Sequence, residues 1–349
     1  MNFSGKRILI TGHTGFKGTW ISHLLNHFDP ELFGISLPSN IQDSFPERDV
    51  RPNINEYFLD IRDLNSITRV IGEIKPQIVI HMAAQPLVLN SYEFPLETYQ
   101  TNVMGTANIL EALKTTGCTS SVIVVTTDKV YLNSESIVGY REDDPLGGLD
   151  PYSGSKSATE LVVNSWRESV KNIGKLDFVT VRSGNVIGGG DKAENRIIPD
   201  LIRAFKSGEP ISIRNPNSIR PWQHVLDTLY GYLLVADKLH SGVATHDSFN
   251  FGPGEESRIT VLELAKLFSS QWPGGGEIEA NFAPVEGRKE TAVLWLNSER
   301  ARNDLGWNPI LDIEKSIGWI VEWESTLHDM STFEKLHFQT KQYLEKVPR

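Results

Sequence analysis

Along the first half of the chain, short apolar runs alternate with longer segments whose apolar residues recur at helical spacing. KRILITG (6–12), LFGIS (32–36), EYFLD (56–60), QIVIHMAA (77–84), SVIVVTTD (121–128) and DFVTVRSG (177–184) read as buried strands. Between several of them lie amphipathic stretches, notably 95–115 and 153–171. Strands that are apolar nearly throughout need cover on both faces, so this alternation predicts an α/β fold with a doubly wound parallel sheet. After Gly184 the rhythm changes. GNVIGGGD reads as a loop, IIPDLIRAFKSG as a helix, and ISIRNPNSIRPWQHV as strand and loop rich in Pro and Arg. DTLYGYLLVADKL (227–239) is a core-type helix and SFNFG (248–252) a last strand. From Thr260 the pattern is a helix, short strands, then helices around 312–325 and 332–345. The expected domains are 1–184 plus about 225–252 for the sheet, and about 185–224 plus 253–349 for a second, smaller α/β domain.

With 349 residues the chain is long enough for both. Its formal net charge of −10 disfavours a nucleic-acid partner, which would need a basic face, but leaves room for a small anion held by a few arginines. The single cysteine, Cys118, excludes an internal disulfide framework and fits a reducing cytoplasm. MNFSGKRILI lacks a signal-peptide core, and no apolar run is long enough to cross a membrane. The expectation is a cytoplasmic protein with no membrane partner and no metal.

TGHTGFKG sets glycines at 12, 15 and 18, directly after the first strand and opening a helix. There the backbone must turn tightly and let a pyrophosphate approach the free N–H groups of the helix N-terminus. Gly12, Thr14, Gly15, Phe16, Lys17 and Gly18 are therefore candidate cofactor contacts. The second strand ends in GISLPSN, without the acidic residue that usually holds the adenosine ribose, so Ser36 is the candidate there and the choice of NAD or NADP stays open. Asp60 and Ile61, after the third strand, are candidates for meeting the adenine; Ala83 and Ala84, after the fourth, are small enough to let a cofactor lie flat.

YSGSK sets Tyr152 and Lys156 one helical turn apart, on one face. A neighbouring ammonium and a positive nicotinamide are expected to lower the phenol's pKa, so that Tyr152 can take a proton from a substrate hydroxyl while hydride leaves. Thr127, at the end of the fifth strand, completes the group. Next to it stand an acid and a base, Asp128 and Lys129; on a strand these would face opposite ways, which argues against a salt bridge between them.

TGHTGFKGTW, HMAAQPLV, TNVMGTANILEA, TTDKVY, GYREDDPLGGLDPYSGSK, RSGNVIGGGD and NPNSIRPWQHV together resemble the extended short-chain dehydrogenase/reductase family. The resemblance is closer to its nucleotide-sugar 4,6-dehydratases, and closest to their CDP-glucose branch. It runs from residue 11 to about 225 and, more thinly, through NFGP and LGW to about 307. It implies a Rossmann-type sheet, bound NAD with Asn102 and Gln85 among its contacts, and a homodimer, or a tetramer built from it. The dimer would form through 95–115 and 153–171 as a four-helix bundle. It implies a reaction in which the sugar is oxidised at C4, loses water across C5–C6 and is reduced at C6 with the same hydride. Most relatives are expected to carry Asp-Glu at the strand end, whereas Asp128-Lys129 resembles the CDP-glucose branch. Asp128 would then protonate the departing C6 hydroxyl and Lys129 take the C5 proton. Lys129 would have to be neutral, and burial, a bound NAD and Lys156 would favour that form.

A nucleotide-sugar substrate carries a diphosphate, for which Arg196, Arg220 and Arg288 are the candidate anchors; Gln85, Asn185 and Asn215 are candidates for sugar or ribose hydroxyls. Trp20 and Trp222 read as core or wall. The resemblance departs at Leu89, where an arginine is implied, and in TAVLWLNSERA. The open alternatives are a dehydratase for another nucleotide or an N-acetylated sugar, an epimerase or simple dehydrogenase of the same fold, and a non-catalytic binding protein. Asp128-Lys129 favours dehydration over epimerisation, and the presence of both Tyr152 and Lys156 disfavours a binding protein.

Overall fold

The computed structural model describes residues 1–38, 44–45, 47–132, 138–170, 176–243, 246–281 and 294–348. In its first half strands β1 (Arg7–Thr11), β2 (Glu31–Ser36), β3 (Ile54–Phe58), β4 (Ile78–His81), β5 (Ser120–Val125) and β6 (Leu176–Ser183) alternate with helices. These helices are α1 (Phe16–Asn26), α2 (Leu64–Ile74), α3 (Val88–Glu93), α4 (Pro95–Tyr99), α5 (Gly105–Thr115) and α6 (Pro151–Val170). A π-helical turn, Gln100–Met104, joins α4 to α5. There follow β7 (Val186–Ile187), α7 (Ile197–Ser207), β8 (Ile211–Arg214), β9 (Ile219–Pro221), β10 (Gln223–His224), α8 (Val225–His240) and β11 (Ser248–Phe251). The last elements are β12 (Arg258–Thr260), α9 (Val261–Gln271), β13 (Ile278–Asn281), α10 (Glu299–Leu305), α11 (Ile313–Val321) and α12 (Thr332–Lys346).

The seven-stranded sheet has the order β11-β6-β5-β4-β1-β2-β3, and all its pairs are parallel. Alternate residues of one strand feed opposite cores: Ile8 and Ile10 pack with Trp20, Leu229 and Phe249, whereas Leu9 packs with Ile71, Leu110 and Val163. Helices thus cover both faces, which is the doubly wound arrangement the apolar runs predict. A third core joins Leu201, Ile213, Trp222, Leu264 and Ile317 beyond the sheet. Ala301, Trp307, Leu336 and Tyr343 pack in the core under α8, with Leu229 and Phe249.

Among the element boundaries that differ from the sequence reading are the ends of β3 and β5. β3 covers Ile54–Phe58 because its pairing with β2 ends at Ser36↔Phe58. β5 stops at Val125, and Asp128–Val130 form a 3-10 turn with Thr127 as its N-cap. The strand argument against an Asp128–Lys129 ion pair therefore fails: on the turn Lys129 Nζ lies 3.6 Å from Asp128 Oδ1.

Candidate active site

The glycine turn is shaped by close backbone approach. Gly12 has φ +75, and a Cβ there would lie 2.9 Å from the Ala83 nitrogen; one on Gly18 would lie 2.1 Å from the Gly12 carbonyl. Only glycine tolerates both positions. Gly15 caps α1 without a side-chain hydrogen bond, and the first turn holds no acidic residue, so no carboxylate of that turn opposes an anion at the N-terminal N–H groups. That arrangement fits the pyrophosphate of a dinucleotide. Gly18→Ala is expected to abolish retention of bound nucleotide while lowering stability, since the added methyl collides with the turn itself; nucleotide released from denatured protein, measured by absorbance, checks this.

Several candidates are already engaged. Thr14 and Ser36 share a hydrogen bond of 2.8 Å, which links the turn to the end of β2. Asp60 pairs with Arg62 at 2.6 Å, and that hydrogen bond holds its carboxyl below its usual range. Ile61 is buried, and a Cβ on Gly105 would lie 2.5 Å from it. Asn102 bridges the Gln85 carbonyl (3.1 Å) and Ser155 (2.9 Å), while the Gln85 side chain meets Thr98 (2.9 Å) and Leu87. Asn102 and Gln85 thus fasten the loop after β4, with Ala83 and Ala84, to α6. Phe16 stacks on Phe45.

Lys17, in the first turn of α1, has polar partners outside the glycine turn. Its ammonium reaches across the turn to Ser183 (2.9 Å) and Tyr232 (3.3 Å). Burial, then Arg196 and Lys156, push its pKa down to about 7, while Asp128 raises it. Ser183 and Tyr232 were not singled out in the sequence, although Ser183 stands in the RSG end of β6. Also unforeseen is the brace behind the turn: His13 Nε2 lies 3.1 Å from Glu56, which holds Arg51 at 2.5 Å.

Tyr152 and Lys156 lie in the first turns of α6, both buried. Lys156 Nζ donates to the Val125 carbonyl at 3.1 Å, and burial pushes its pKa down to about 8 against the pull of Glu160. The lowered phenol pKa expected for Tyr152 is not supplied by the protein's own groups. Burial pushes it up to about 12, with Asp128 adding to the rise; a hydrogen bond with Thr127 and the charge of Arg196 oppose it. Thr127 donates to Asp128 Oδ1 at 3.0 Å, and Asp128 Oδ2 is buried without a partner. Lys129 is only partly buried, its side chain 33% exposed.

Of the arginines, Arg196 reaches the site electrostatically and donates to Asp191 at 3.0 Å. Arg220 lies on β9, part-buried, opposite Ile259. Arg288 lies outside the described residues. Asn185 follows β6, its carbonyl bonded to the Gln223 N–H, and Asn215 takes φ +51 in the turn between β8 and β9. Trp20 and Trp222 are buried in cores. Among the described residues no helix is long and apolar enough to cross a membrane, and no group of three or more potential ligands could hold a metal.

A doubly wound sheet, a glycine turn into a helix and a buried Tyr–Lys pair beside a strand end together define a dinucleotide-dependent enzyme of the short-chain dehydrogenase type. The model of the NAD dependent epimerase/dehydratase family matches residues 8–252, and the chain belongs to that family, with NAD as its cofactor. It is 43% identical over 329 residues to the CDP-glucose 4,6-dehydratase of Salmonella typhimurium, covering 92% of this chain and 91% of the relative. Among solved structures it resembles a UDP-glucose 4-epimerase from Thermotoga maritima (TM-score 0.80, 24% identity, 92% of this chain and 100% of the other). It also resembles a dTDP-glucose 4,6-dehydratase from Bacillus anthracis in complex with NAD (TM-score 0.76, 20% identity, 95% and 100%). At these identities the two structures speak for the fold.

Proposed function

We propose that the protein is a nucleotide-sugar 4,6-dehydratase acting on CDP-glucose and releasing its 4-keto-6-deoxy product. The observation that carries this reading is the Asp128–Lys129 pair beside Thr127 and Tyr152: an epimerase has no elimination to catalyse and needs neither. The similarity to the Salmonella enzyme supports CDP-glucose as the substrate. Bound NAD supplies the hydride acceptor for C4 and the donor for C6. Tyr152 takes the proton of the C4 hydroxyl, with Lys156 beside it as the positive charge. Oxidation acidifies the C5 proton, which Lys129 removes; Asp128 protonates the departing C6 hydroxyl. Arg196 and Arg220 serve the diphosphate, with Asn185 and Asn215 toward the hydroxyls. The core around Trp222 and α7, α9 and α11 forms the substrate-side body.

Incubation of the purified protein with CDP-, dTDP-, UDP- and GDP-linked glucose and N-acetylated sugars, without added reductant, tests the reading by product mass. Loss of one water from CDP-glucose supports it. Loss from another nucleotide sugar moves the substrate, and inversion at C4 without loss of mass replaces dehydratase by epimerase.

We also propose a homodimer through the helices 95–115 and 151–170. Leu96 (77% exposed), Met104 (56%) and Leu161 (61%) lie on these helices, a set of apolar side chains suited to an isologous bundle. Sedimentation at micromolar concentration should give twice the chain mass, and a monomer there would refute it.

A further inference from the structure

The first turn of α6 carries Tyr152, and each backbone donor of that turn has a partner. Pro151 opens the helix and has no N–H to satisfy. The Ser153 N–H donates to Asp150 Oδ1 at 2.9 Å, and the Gly154 N–H to the Asp150 carbonyl at 2.8 Å. That leaves the N–H of Tyr152 itself, one of the orphan donors of a helix start. It donates to Ser91 Oγ at 3.1 Å. Ser91 lies 61 residues earlier in the chain, on α3, and is fully buried. Its own hydroxyl proton goes to the Val88 carbonyl at 2.7 Å, which leaves the oxygen lone pairs for Tyr152.

The carbonyl of Tyr152 is held as well. Ser155 Oγ donates to it at 2.7 Å and accepts from Asn102 Nδ2 at 2.9 Å. Asp150 and Ser155 belong to α6 and its entry, so their contacts shape the turn without placing it against the rest of the fold. Asn102 reaches Tyr152 only through Ser155. Ser91 binds the Tyr152 peptide directly and from another element, the helix that follows the loop after β4 and packs on α6.

We propose that Ser91 is a positioning residue for Tyr152: by accepting the Tyr152 N–H it fixes how far the phenol reaches toward O4 of the sugar. The phenol rides on this peptide, so a tilt of the first turn carries it along. Without the serine oxygen a buried N–H has no partner, and the turn relieves that by tilting or unwinding. A misplacement of about 1 Å at a reacting group costs about 10²-fold in rate. The proposal rests on the reading of Tyr152 as the group that takes the O4 proton.

The test compares Ser91→Ala, Ser91→Cys and Ser91→Thr in the full-length, NAD-loaded protein. Stopped-flow absorbance of the reduced nicotinamide follows the first oxidation of CDP-glucose. The alanine variant is expected to reduce NAD roughly 10–10²-fold more slowly, at the amplitude of wild type and with KM unchanged. Threonine keeps the acceptor oxygen and should recover most of the rate; cysteine, a weak acceptor of similar size, should fall between. Circular dichroism and the urea midpoint report which variants fold; should alanine or threonine not fold, the intermediate rate of the cysteine variant decides. A full rate constant at reduced amplitude would show that Ser91 only keeps the fold together, and a raised KM at an unchanged rate would place it in substrate binding; either overturns the proposal. Folded threonine and cysteine variants as slow as alanine do the same, as does an alanine variant equal to wild type. Tyr152→Phe keeps the peptide bond to Ser91, so wild-type reduction by that variant would overturn the reading of Tyr152 instead, and the positioning role with it.

Discussion

Lys129→Met is expected to slow turnover roughly 10²–10⁴-fold, the range for a missing general base, while oxidation at C4 survives. Methionine keeps the length of the side chain and removes the nitrogen. The groups serving the first step, Tyr152, Lys156 and Thr127, hold their places through α6 and the end of β5, independently of the Lys129 side chain: Lys156 on the Val125 carbonyl, Tyr152 through its N–H on Ser91. The variant should therefore oxidise its substrate once and stop. Stopped-flow absorbance of the reduced nicotinamide would show a rise of at most one equivalent per site, without accumulation of the dehydrated sugar. Tyr152→Phe should show no rise, because the group that accepts the O4 proton is gone. Wild-type turnover by the methionine variant would make Lys129 a bystander, held near Asp128 only as its ion-pair partner at 3.6 Å.

Glu160→Gln should cost about 3–5 kcal/mol of stability, the usual penalty for removing one partner of a buried ion pair. Glu160 is buried one turn beyond Lys156 and binds Arg182 through both oxygens at 2.9 Å; Thr126 (2.5 Å) and Thr180 (2.7 Å) donate to it as well. Arg182 continues to Tyr131 at 2.7 Å, which donates to Asn250 on β11 at 2.7 Å. The network thus ties α6, β5, β6 and β11 together behind the site. Although burial opposes ionisation, the Arg182 pair and the hydroxyl donors hold the Glu160 carboxyl below its usual range. Its stabilisation is therefore present at neutral pH and is lost as pH falls into the carboxylate range. The glutamine variant should show a lower urea midpoint at pH 7, and its deficit should shrink toward acid. Glu160 also raises the Lys156 pKa, so its loss should move any alkaline limb set by Lys156 to lower pH. An unchanged urea midpoint at pH 7 would contradict the assignment.

Much of the fold was legible because both faces of the sheet are buried. Runs such as RILIT and SVIVV have to be apolar at every position, and that signal does not depend on which helix covers them. The glycine turn was legible for a similar local reason, since Gly12 and Gly18 answer to backbone contacts within and beside the turn. Tyr152 and Lys156 followed from helical spacing. Strand ends were less secure: the Thr126 N–H still donates to the Val181 carbonyl of β6, but the paired register of β5 ends at Val125 and from Asp128 the chain folds into a 3-10 turn.

The sequence by itself determined the parallel sheet, the dinucleotide turn and the set of reactive side chains, because each depends on periodicity or on contacts a few residues apart. Tertiary structure decided what those side chains meet. Lys17 leaves the glycine turn for Ser183 and Tyr232, 166 and 215 residues away in the chain. Gln85 and Asn102 turn to one another and to α6, and Asp60 is taken by Arg62. Burial raises the Tyr152 pKa where local reasoning from Lys156 lowers it. Desolvation and partner choice depend on everything packed around a group, and no window of sequence contains that.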